Sequence, residues 1–120
     1  MIKTVVIVDD SNFMRNLINI LLTRHNFNVI NMVSNGTMAI RTIMDKRPDI
    51  VTLDLKLPDM SGLEVLKRLK DYGTRSKIII VSGINNESNM QEECIRLGAN
   101  GFIYKPFVRE DLINLINRII

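Results

Sequence analysis

The chain has 120 residues, 46% of them hydrophobic, so it can bury one core as a single domain over residues 1–120 but is too short for two ordinary domains. Its formal net charge is only +3, and because the Lys and Arg residues are scattered among 13 acids with few aromatic residues, we do not expect direct binding to nucleic acid. The one cysteine, Cys94, excludes an internal disulfide and a cysteine-based zinc site, and since the sequence shows neither a secretory leader nor an apolar membrane span, we expect a cytoplasmic protein with no membrane contact.

Short apolar runs and amphipathic helical patterns alternate along the whole chain. Five runs rich in Val and Ile predict strands over residues 4–8, 29–33, 50–53, 77–81 and 101–104. Apolar residues with the i, i+3, i+4, i+7 spacing of one helical face occur after the first strand and again after the last. They are Met14, Leu17, Ile18 and Leu21, and Leu112, Leu115, Ile116 and Ile119. The third helix is expected to begin after Ser61, whose capping-box spacing to Glu64 predicts that both side chains satisfy backbone amides.

A helix between each strand and the next requires parallel pairing with right-handed crossovers. We therefore predict an α/β fold, a doubly wound five-stranded parallel sheet with helices on both faces. The flavodoxin-like strand order 2-1-3-4-5 is adopted from known sheets of this class, because the residues alone do not determine it.

Charged residues follow three of the predicted strands. Asp9 and Asp10 come directly after the first strand, Asp54 after the third, and Lys105 after the fifth. Since the first and third strands are neighbours in this order, their carboxyl ends should bring the three carboxylates into one crevice. Crowded carboxylates repel one another unless a cation lies between them, and hard oxygen ligands favour Mg²⁺. The sequence therefore predicts a site for Mg²⁺ and phosphate.

Each of these residues also has a purely structural interpretation. Acids after a strand are commonly helix N-caps, and the Ser82-Gly83 pair is typical of an ordinary turn. The Lys105-Pro106 pair could be a solvated lysine before a turn. The functional interpretation is favoured only because these residues occur together.

Four segments of the chain carry a family resemblance. They are Val-Val-Ile-Val-Asp-Asp-Ser at 5–11, Pro-Asp-Ile-Val-Thr-Leu-Asp-Leu-Lys-Leu-Pro-Asp-Met-Ser-Gly at 48–62, Ile-Ile-Ile-Val-Ser-Gly at 78–83, and Gly-Ala-Asn-Gly-Phe-Ile-Tyr-Lys-Pro-Phe at 98–107. In this order and spacing they resemble the response-regulator receiver domain of the CheY-like superfamily, which acts in two-component signalling. The resemblance runs from Ile2 to the last helix, and the opening of the first helix is similar to chemotaxis-type receivers.

The resemblance implies a role for each acid of the crevice. Asp54 matches the phosphoacceptor, which takes a phosphoryl group from a phosphohistidine on a sensor histidine kinase or a histidine phosphotransfer protein. Asp10 matches the direct Mg²⁺ ligand beside Asp54, and Asp9 the acid that acts through a metal-bound water. The backbone carbonyl of Lys56 matches the third protein ligand.

The resemblance also implies roles for residues around the acids. Lys105, before a cis bond to Pro106, matches the cation that contacts the phosphoryl group, and Ser82 the hydroxyl that closes on it. Phe102 matches the aromatic switch residue, where many members have tyrosine; without the hydroxyl, its switching would depend on packing alone. Lys56 and Ile84 match the two positions that tune dephosphorylation, and their chemistry predicts slow hydrolysis.

The resemblance further implies that phosphorylation changes the face formed by helix 4, strand 5 and helix 5. This face would bind a downstream protein target or output domain, or a second copy of the chain in a phosphorylation-dependent homodimer. Ile113 and Ile120 lie off the apolar stripe of the last helix, and this surplus apolar surface predicts a docking site.

The phosphorylatable receiver is favoured over three alternatives. A pseudo-receiver that binds its partner without phosphorylation would need a broken acidic site. A haloacid-dehalogenase-type phosphatase would need a second aspartate where this chain has Lys56, and a flavodoxin-like cofactor binder would need a Gly/Ser/Thr-rich loop after Val8. We therefore expect a regulator that catalyses only its own phosphorylation and slow dephosphorylation and is not a turnover enzyme, either alone or as part of a larger protein.

Overall fold

The computed structural model describes residues 2–83 and 89–120. Five strands alternate with five helices along the chain. The strands are β1 (Thr4–Val8), β2 (Asn28–Val33), β3 (Ile50–Leu53), β4 (Lys77–Gly83) and β5 (Gly101–Lys105). The helices are α1 (Asn12–Thr23), α2 (Gly36–Lys46), α3 (Gly62–Asp71), α4 (Met90–Arg96) and α5 (Arg109–Ile119). None of the helices in these ranges has both the length and the apolar character needed to cross a lipid bilayer.

The five strands pair in parallel in the order β2-β1-β3-β4-β5, which confirms the predicted fold class and strand order. Three strands differ from the predicted ranges by one or two residues at one end, which is the usual uncertainty in the ends of such elements. The longer β4 and β5 place Ser82 and Lys105 within strands, not in the turns that follow.

The core lies on both faces of the sheet, as expected for a doubly wound fold. On one face, strand residues such as Val6, Val51 and Ile80 pack against α2, α3 and α4. On the other face, strand residues such as Val5 and Ile79 pack against α1 and α5. Because both faces of the sheet are covered, its central strands are almost entirely apolar.

Two predictions about the helices need correction. Ser61 does cap α3, since its Oγ accepts a hydrogen bond from the Glu64 amide over 3.2 Å. The Glu64 carboxylate, however, accepts a hydrogen bond from Arg68, so the capping box is formed only in half. Ile113 is half-buried and packs against the core on the α1/α5 face of the sheet. The prediction that Ile113 adds surplus apolar surface is therefore wrong. Ile120 is exposed, as predicted.

Cys94 is fully buried in α4 and packs within the core on the α2/α3/α4 face of the sheet. Burial and the neighbouring Glu93 raise the pKa of its thiol to about 11. The thiol is therefore protonated at neutral pH and acts as a small apolar side chain.

Candidate functional site

The register of the sheet brings Asp9 and Asp54 side by side. Val8 at the end of β1 pairs with Leu53 at the end of β3, and the Asp54 amide donates a hydrogen bond to the Val8 carbonyl over 2.9 Å. The next residue of each strand is an aspartate at the carboxyl edge of the sheet. With Asp10, the two carboxylates form a cluster whose oxygens lie within 4.8 Å of one another.

Lys105 reaches this cluster from the end of β5. Its Nζ donates to Asp9 Oδ2 over 2.7 Å and to Asp54 Oδ2 over 3.3 Å. Asp9 is only 1% exposed and Asp54 5%, so one ammonium group partly neutralises two buried carboxylates from different strands. Asp10, the third member of the cluster, is exposed.

The electrostatics of the cluster leave Asp54 easier to protonate than an ordinary aspartate. Burial is the largest cause and raises the pKa of its carboxyl, and the charge of Asp9 raises the pKa further. Lys105 and the hydrogen bond from the Lys56 amide lower the pKa but do not cancel the increase. A second cation at the cluster would favour the ionised form of Asp54.

The donor set of the cluster fits Mg²⁺. Asp9, Asp10 and Asp54 offer only hard carboxylate oxygens, which are the protein ligands that Mg²⁺ prefers. The three negative charges exceed the single positive charge of Lys105, so a divalent cation would improve the charge balance. Neither histidine nor cysteine is among the clustered residues that could hold a metal ion within the described ranges.

Asp9 is held in place by neighbours that the sequence did not single out. Its Oδ1 accepts a hydrogen bond from the Ser11 amide over 2.9 Å, so its two carboxylate oxygens have separate partners. The guanidinium of Arg15 donates to the Asp9 carbonyl over 2.7 Å and to Asn12. Arg15 therefore links the first turns of α1 to the residue that follows β1. In the sequence, the only indication of this role is that a cation follows the acid pair a few residues later.

The connection from β3 to α3 approaches Asp54 closely. The Lys56 amide donates to Asp54 Oδ1 over 3.2 Å, and Lys56 pairs with Ser61 in a short antiparallel bridge. A Cβ added to Gly62 would lie 2.3 Å from the Asp54 carbonyl oxygen and 2.7 Å from Leu55 Cα. Only glycine lets α3 begin directly beneath the backbone of Asp54, and no pattern in the sequence indicates this requirement.

Asp59 ties the same connection to the start of α2. Its Oδ1 accepts a hydrogen bond from the Gly36 amide over 2.7 Å, and its Oδ2 accepts from the amide and the hydroxyl of Thr37. These hydrogen bonds, with the Gly36 amide first, lower the pKa of Asp59 to about 2 from an ordinary value of 3.8. The ionised carboxylate therefore stabilises the position of the loop beside the acidic cluster.

We expect Asp59→Asn to lower the melting temperature at neutral pH. Because the pKa of Asp59 is depressed in the folded state, its stabilisation is fully present above the unfolded pKa and is lost as the pH falls through the folded value. When thermal unfolding is measured from about pH 7 to about pH 2, the melting temperatures of the wild type and the variant should converge at the lowest pH. Asp45→Asn, a change of an exposed acid on α2, is the control. A pH-independent difference between wild type and Asp59→Asn would contradict this role.

The remaining predicted residues lie around the cluster. Ser82 is buried in β4, and its hydroxyl donates to the Gly83 carbonyl over 3.1 Å. Phe102 is half-buried in β5 and makes an edge-to-face contact with Tyr104, with ring centroids 4.9 Å apart. The Lys105–Pro106 bond is cis, as the resemblance implied. Ile84, predicted to tune dephosphorylation, lies outside the described residues.

A family model of the response regulator receiver domain matches residues 5–117. Among curated proteins, the chain is 35% identical to the chemotaxis protein CheY of Bacillus subtilis, over 98% of each chain. It is 34% identical to the chemotaxis protein CheY of Thermotoga maritima, over 98% of this chain and 97% of that protein.

Among solved structures, similarity is high for a complex of CheX and CheY with BeF₃ and Mg²⁺ from Borrelia burgdorferi. The TM-score is 0.92 at 28% identity, and the match covers 98% of this chain and 88% of that one. The matches to these relatives extend over nearly their whole length, and the TM-score shows that the fold is shared.

Proposed function

Since the chain belongs to the response regulator receiver domain family, we propose that Asp54 accepts a phosphoryl group from a phosphohistidine of a partner protein. The observation that carries this proposal is the position of the Asp54 carboxylate, which lies in the acidic cluster within 3.3 Å of the Lys105 ammonium. A phosphoryl group on Asp54 would lie close to the ammonium group of Lys105, and Asp9 and Asp10 would supply ligands for a metal ion.

In the proposed step, an oxygen of Asp54 attacks phosphorus while the bond between phosphorus and the histidine nitrogen breaks. The electron pair of that bond leaves with the imidazole of the donor. Lys105 contacts an oxygen of the transferred group, and the Ser82 hydroxyl turns from the Gly83 carbonyl to do the same. These contacts place positive charge and a hydrogen-bond donor where negative charge arrives.

Mg²⁺ would be held by Asp10 directly, by Asp9 through water, and by Asp54 and the Lys56 carbonyl. When bound, it neutralises charge on the attacking and transferred oxygens. The hard carboxylate oxygens of the cluster support this assignment, and so does the Mg²⁺ in the related CheX–CheY complex.

The phosphodonor, a sensor histidine kinase or a histidine phosphotransfer protein, needs a surface close to Asp54. Phe13 and Ile20 on α1 are exposed, Phe13 by 73%, and lie about two turns apart on one side of the helix. Leu17 lies between them and is half-buried. Because α1 begins two residues after Asp10, this apolar stripe supports docking of the partner beside the acidic cluster.

The proposed output surface is the face formed by α4, β5 and α5. Phe102 and Tyr104 line a shallow cavity of about 500 Å³ between β5 and α5. When Ser82 moves toward the phosphoryl group, Phe102 can shift into the space behind it, and the shape of this cavity changes. A downstream protein target, an output domain or a second copy of the chain would bind one form better than the other.

The complete acidic cluster disfavours a pseudo-receiver that works without phosphorylation. Lys56 stands where a phosphatase of the haloacid-dehalogenase type would need its second aspartate, so the proposed activity is self-phosphorylation and slow self-dephosphorylation without turnover of a substrate. The cytoplasmic location expected from the sequence is part of the same proposal. The domain would act either as a single regulator or as one part of a longer protein.

Beryllofluoride with Mg²⁺, which mimics a phosphoryl group, tests whether the site works as proposed. We expect it to raise the melting temperature of the wild type, since a ligand present at about ten times its Kd stabilises the folded state by about 1.4 kcal/mol. Asp54→Asn and Asp10→Ala should abolish the increase, and Asp45→Asn, a change of an exposed acid on α2, should retain it. An equal increase in Asp54→Asn would place the ligand elsewhere and refute the proposal.

We further expect the phosphorylated form to be long-lived. Lys56 is exposed two residues after Asp54, and its side chain can make a charge-assisted contact with the phosphoryl oxygens. Loss of this contact in Lys56→Asn should speed decay roughly tenfold, which corresponds to about 1.4 kcal/mol of barrier. The decay is followed by mass spectrometry with Mg²⁺ present.

Lys67→Asn removes an exposed lysine from α3, away from the acidic cluster, and is the matched control. Its decay should equal that of the wild type. Decay of the wild type within seconds, or equal decay in Lys56→Asn, would contradict the role of Lys56.

A further inference from the structure

A second concave site lies at the opposite edge of the sheet from Asp54. It is a cavity of about 770 Å³ between the end of α2, the connection from α3 to β4, and the residue before β1. Small-molecule sites in proteins commonly have volumes of about 300 to 1,000 Å³. The strands begin at this edge, so the cavity shares no residue with the acidic cluster.

The cavity is rich in positive charge. Four cations line it, each from a different part of the chain: Lys3, Arg47, Arg75 and Lys77. Within the described residues, none of them takes part in an ion pair. Their charges therefore add up over one concave surface, where an anion would be attracted.

The one acid that lines the cavity does not cancel this charge through a direct contact. Asp49 Oδ2 accepts hydrogen bonds from the amide of Thr4 over 2.8 Å and from its hydroxyl over 3.2 Å. The Asp49 carboxylate thus holds the start of β1 against the start of β3. Its Oδ2 is occupied by these structural contacts, and among the described residues Asp49 forms no ion pair with a lining cation.

Helix ends explain only part of this pattern. Arg47 is the C-cap of α2, where a cation complements the helix dipole. Its backbone has φ of 50°, however, a left-handed conformation that favours glycine or asparagine. Lys3 and Lys77 lie at the starts of strands, where no helix dipole calls for a cation.

The cavity also offers a flat apolar surface. Tyr72, the C-cap of α3, lines the cavity with 59% of its surface exposed, so a ligand in the cavity can reach its ring. Met44 and the buried Ile43 and Pro48 line the same cavity. An exposed ring beside several cations is suited to a ligand that combines a flat ring with phosphate groups.

We propose that this cavity binds a nucleotide, with its phosphates at Lys3, Arg75 and Lys77 and its base against Tyr72. The ligand class follows from the two kinds of surface together, because phosphate alone would make no use of the ring and an apolar ligand would make no use of the cations. This site goes beyond phosphorylation of Asp54 and does not depend on it.

The test is isothermal titration calorimetry of the full chain with ATP. The buffer contains EDTA, so that metal-dependent binding at the acidic cluster does not contribute. Adenosine and inorganic triphosphate are titrated in parallel. We expect ATP to bind more tightly than either. Arg75→Glu combined with Lys77→Glu should weaken ATP at least about tenfold, because two attractive contacts become repulsive. Arg41→Glu combined with Lys67→Glu makes the same change in net charge at exposed positions outside the cavity and should leave binding unchanged.

Tyr72→Ala separates recognition of the base from attraction of phosphate. This variant should bind ATP about tenfold more weakly and should bind inorganic triphosphate with unchanged affinity, since only ATP has a base that stacks on the ring. Circular dichroism of each variant checks that the fold is retained. The proposal is refuted if ATP shows no saturable binding at millimolar concentration, if inorganic triphosphate binds as tightly as ATP, or if the two charge-reversal pairs weaken binding equally.

Discussion

Lys105→Met should lower the free energy of unfolding by about 3 kcal/mol in metal-free buffer, a typical result of removing one partner from a buried ion pair. Lys105 is the only residue in an ion pair with Asp9 or Asp54 among the described residues. Its loss would leave Asp9, which is 1% exposed, without a cation at 2.7 Å. Methionine keeps most of the length of the side chain, so the loss reports the charge more than the volume. Urea unfolding measures the difference.

Arg96→Met is the matched control, because it also removes one cation from an ion pair. Arg96 and Glu93 are both well exposed on α4, where such pairs contribute under about 1 kcal/mol. Added Mg²⁺ should stabilise Lys105→Met more than the wild type, since the ion replaces the missing charge. Equal losses in the two variants, or no extra effect of Mg²⁺, would mean that Lys105 does not neutralise the acidic cluster.

Gly62→Ala should destabilise the fold by about 2 kcal/mol, within the usual range for a group inserted into a packed interior. The new Cβ would meet the carbonyl oxygen of Asp54 at 2.3 Å and Leu55 Cα at 2.7 Å. Both are backbone atoms, so the loop that carries Asp54 must move. The same variant should bind beryllofluoride with Mg²⁺ more weakly. Urea unfolding and a titration followed by NMR measure the two effects.

Two other glycines provide graded controls. A Cβ at Gly83 would meet nothing within 4 Å, so Gly83→Ala should be neutral or slightly stabilising. A Cβ at Gly36 would meet Met60 Cγ at 2.4 Å, but this side chain is flexible and can turn away. The expected order of destabilisation is Gly62, then Gly36, then Gly83. Destabilisation as large at Gly83 as at Gly62 would contradict the argument from close approach.

The acidic cluster could be predicted from sequence because it depends on strand ends. Apolar runs mark where β1 and β3 stop, and parallel neighbours deliver their next residues to one edge of the sheet. Asp9 and Asp54 are therefore adjacent as soon as the strand order is known. The order itself came from known folds, since periodicity alone does not determine which strands are neighbours.

Close approaches between segments could not be predicted in this way. The contact between Gly62 and the backbone of Asp54 and the bonds from Asp59 to the start of α2 depend on how loops cross in space. Ile113 was misjudged for a related reason, because the side of α5 that faces the core is wider than a four-residue stripe suggests. Glu64 was misjudged because Arg68, one turn further along, offered it a cation.

The measurement that tests the central proposal most directly is covalent phosphorylation by phosphoramidate with Mg²⁺. This small donor carries a bond from phosphorus to nitrogen, as phosphohistidine does, but needs no matching partner protein. Intact-mass analysis and peptide mapping should find one added phosphoryl group, located on Asp54, and none when Mg²⁺ is removed or in Asp54→Asn. A phosphoryl group located on another residue, or undiminished phosphorylation of Asp54→Asn, would contradict the assignment of Asp54 as the phosphoacceptor.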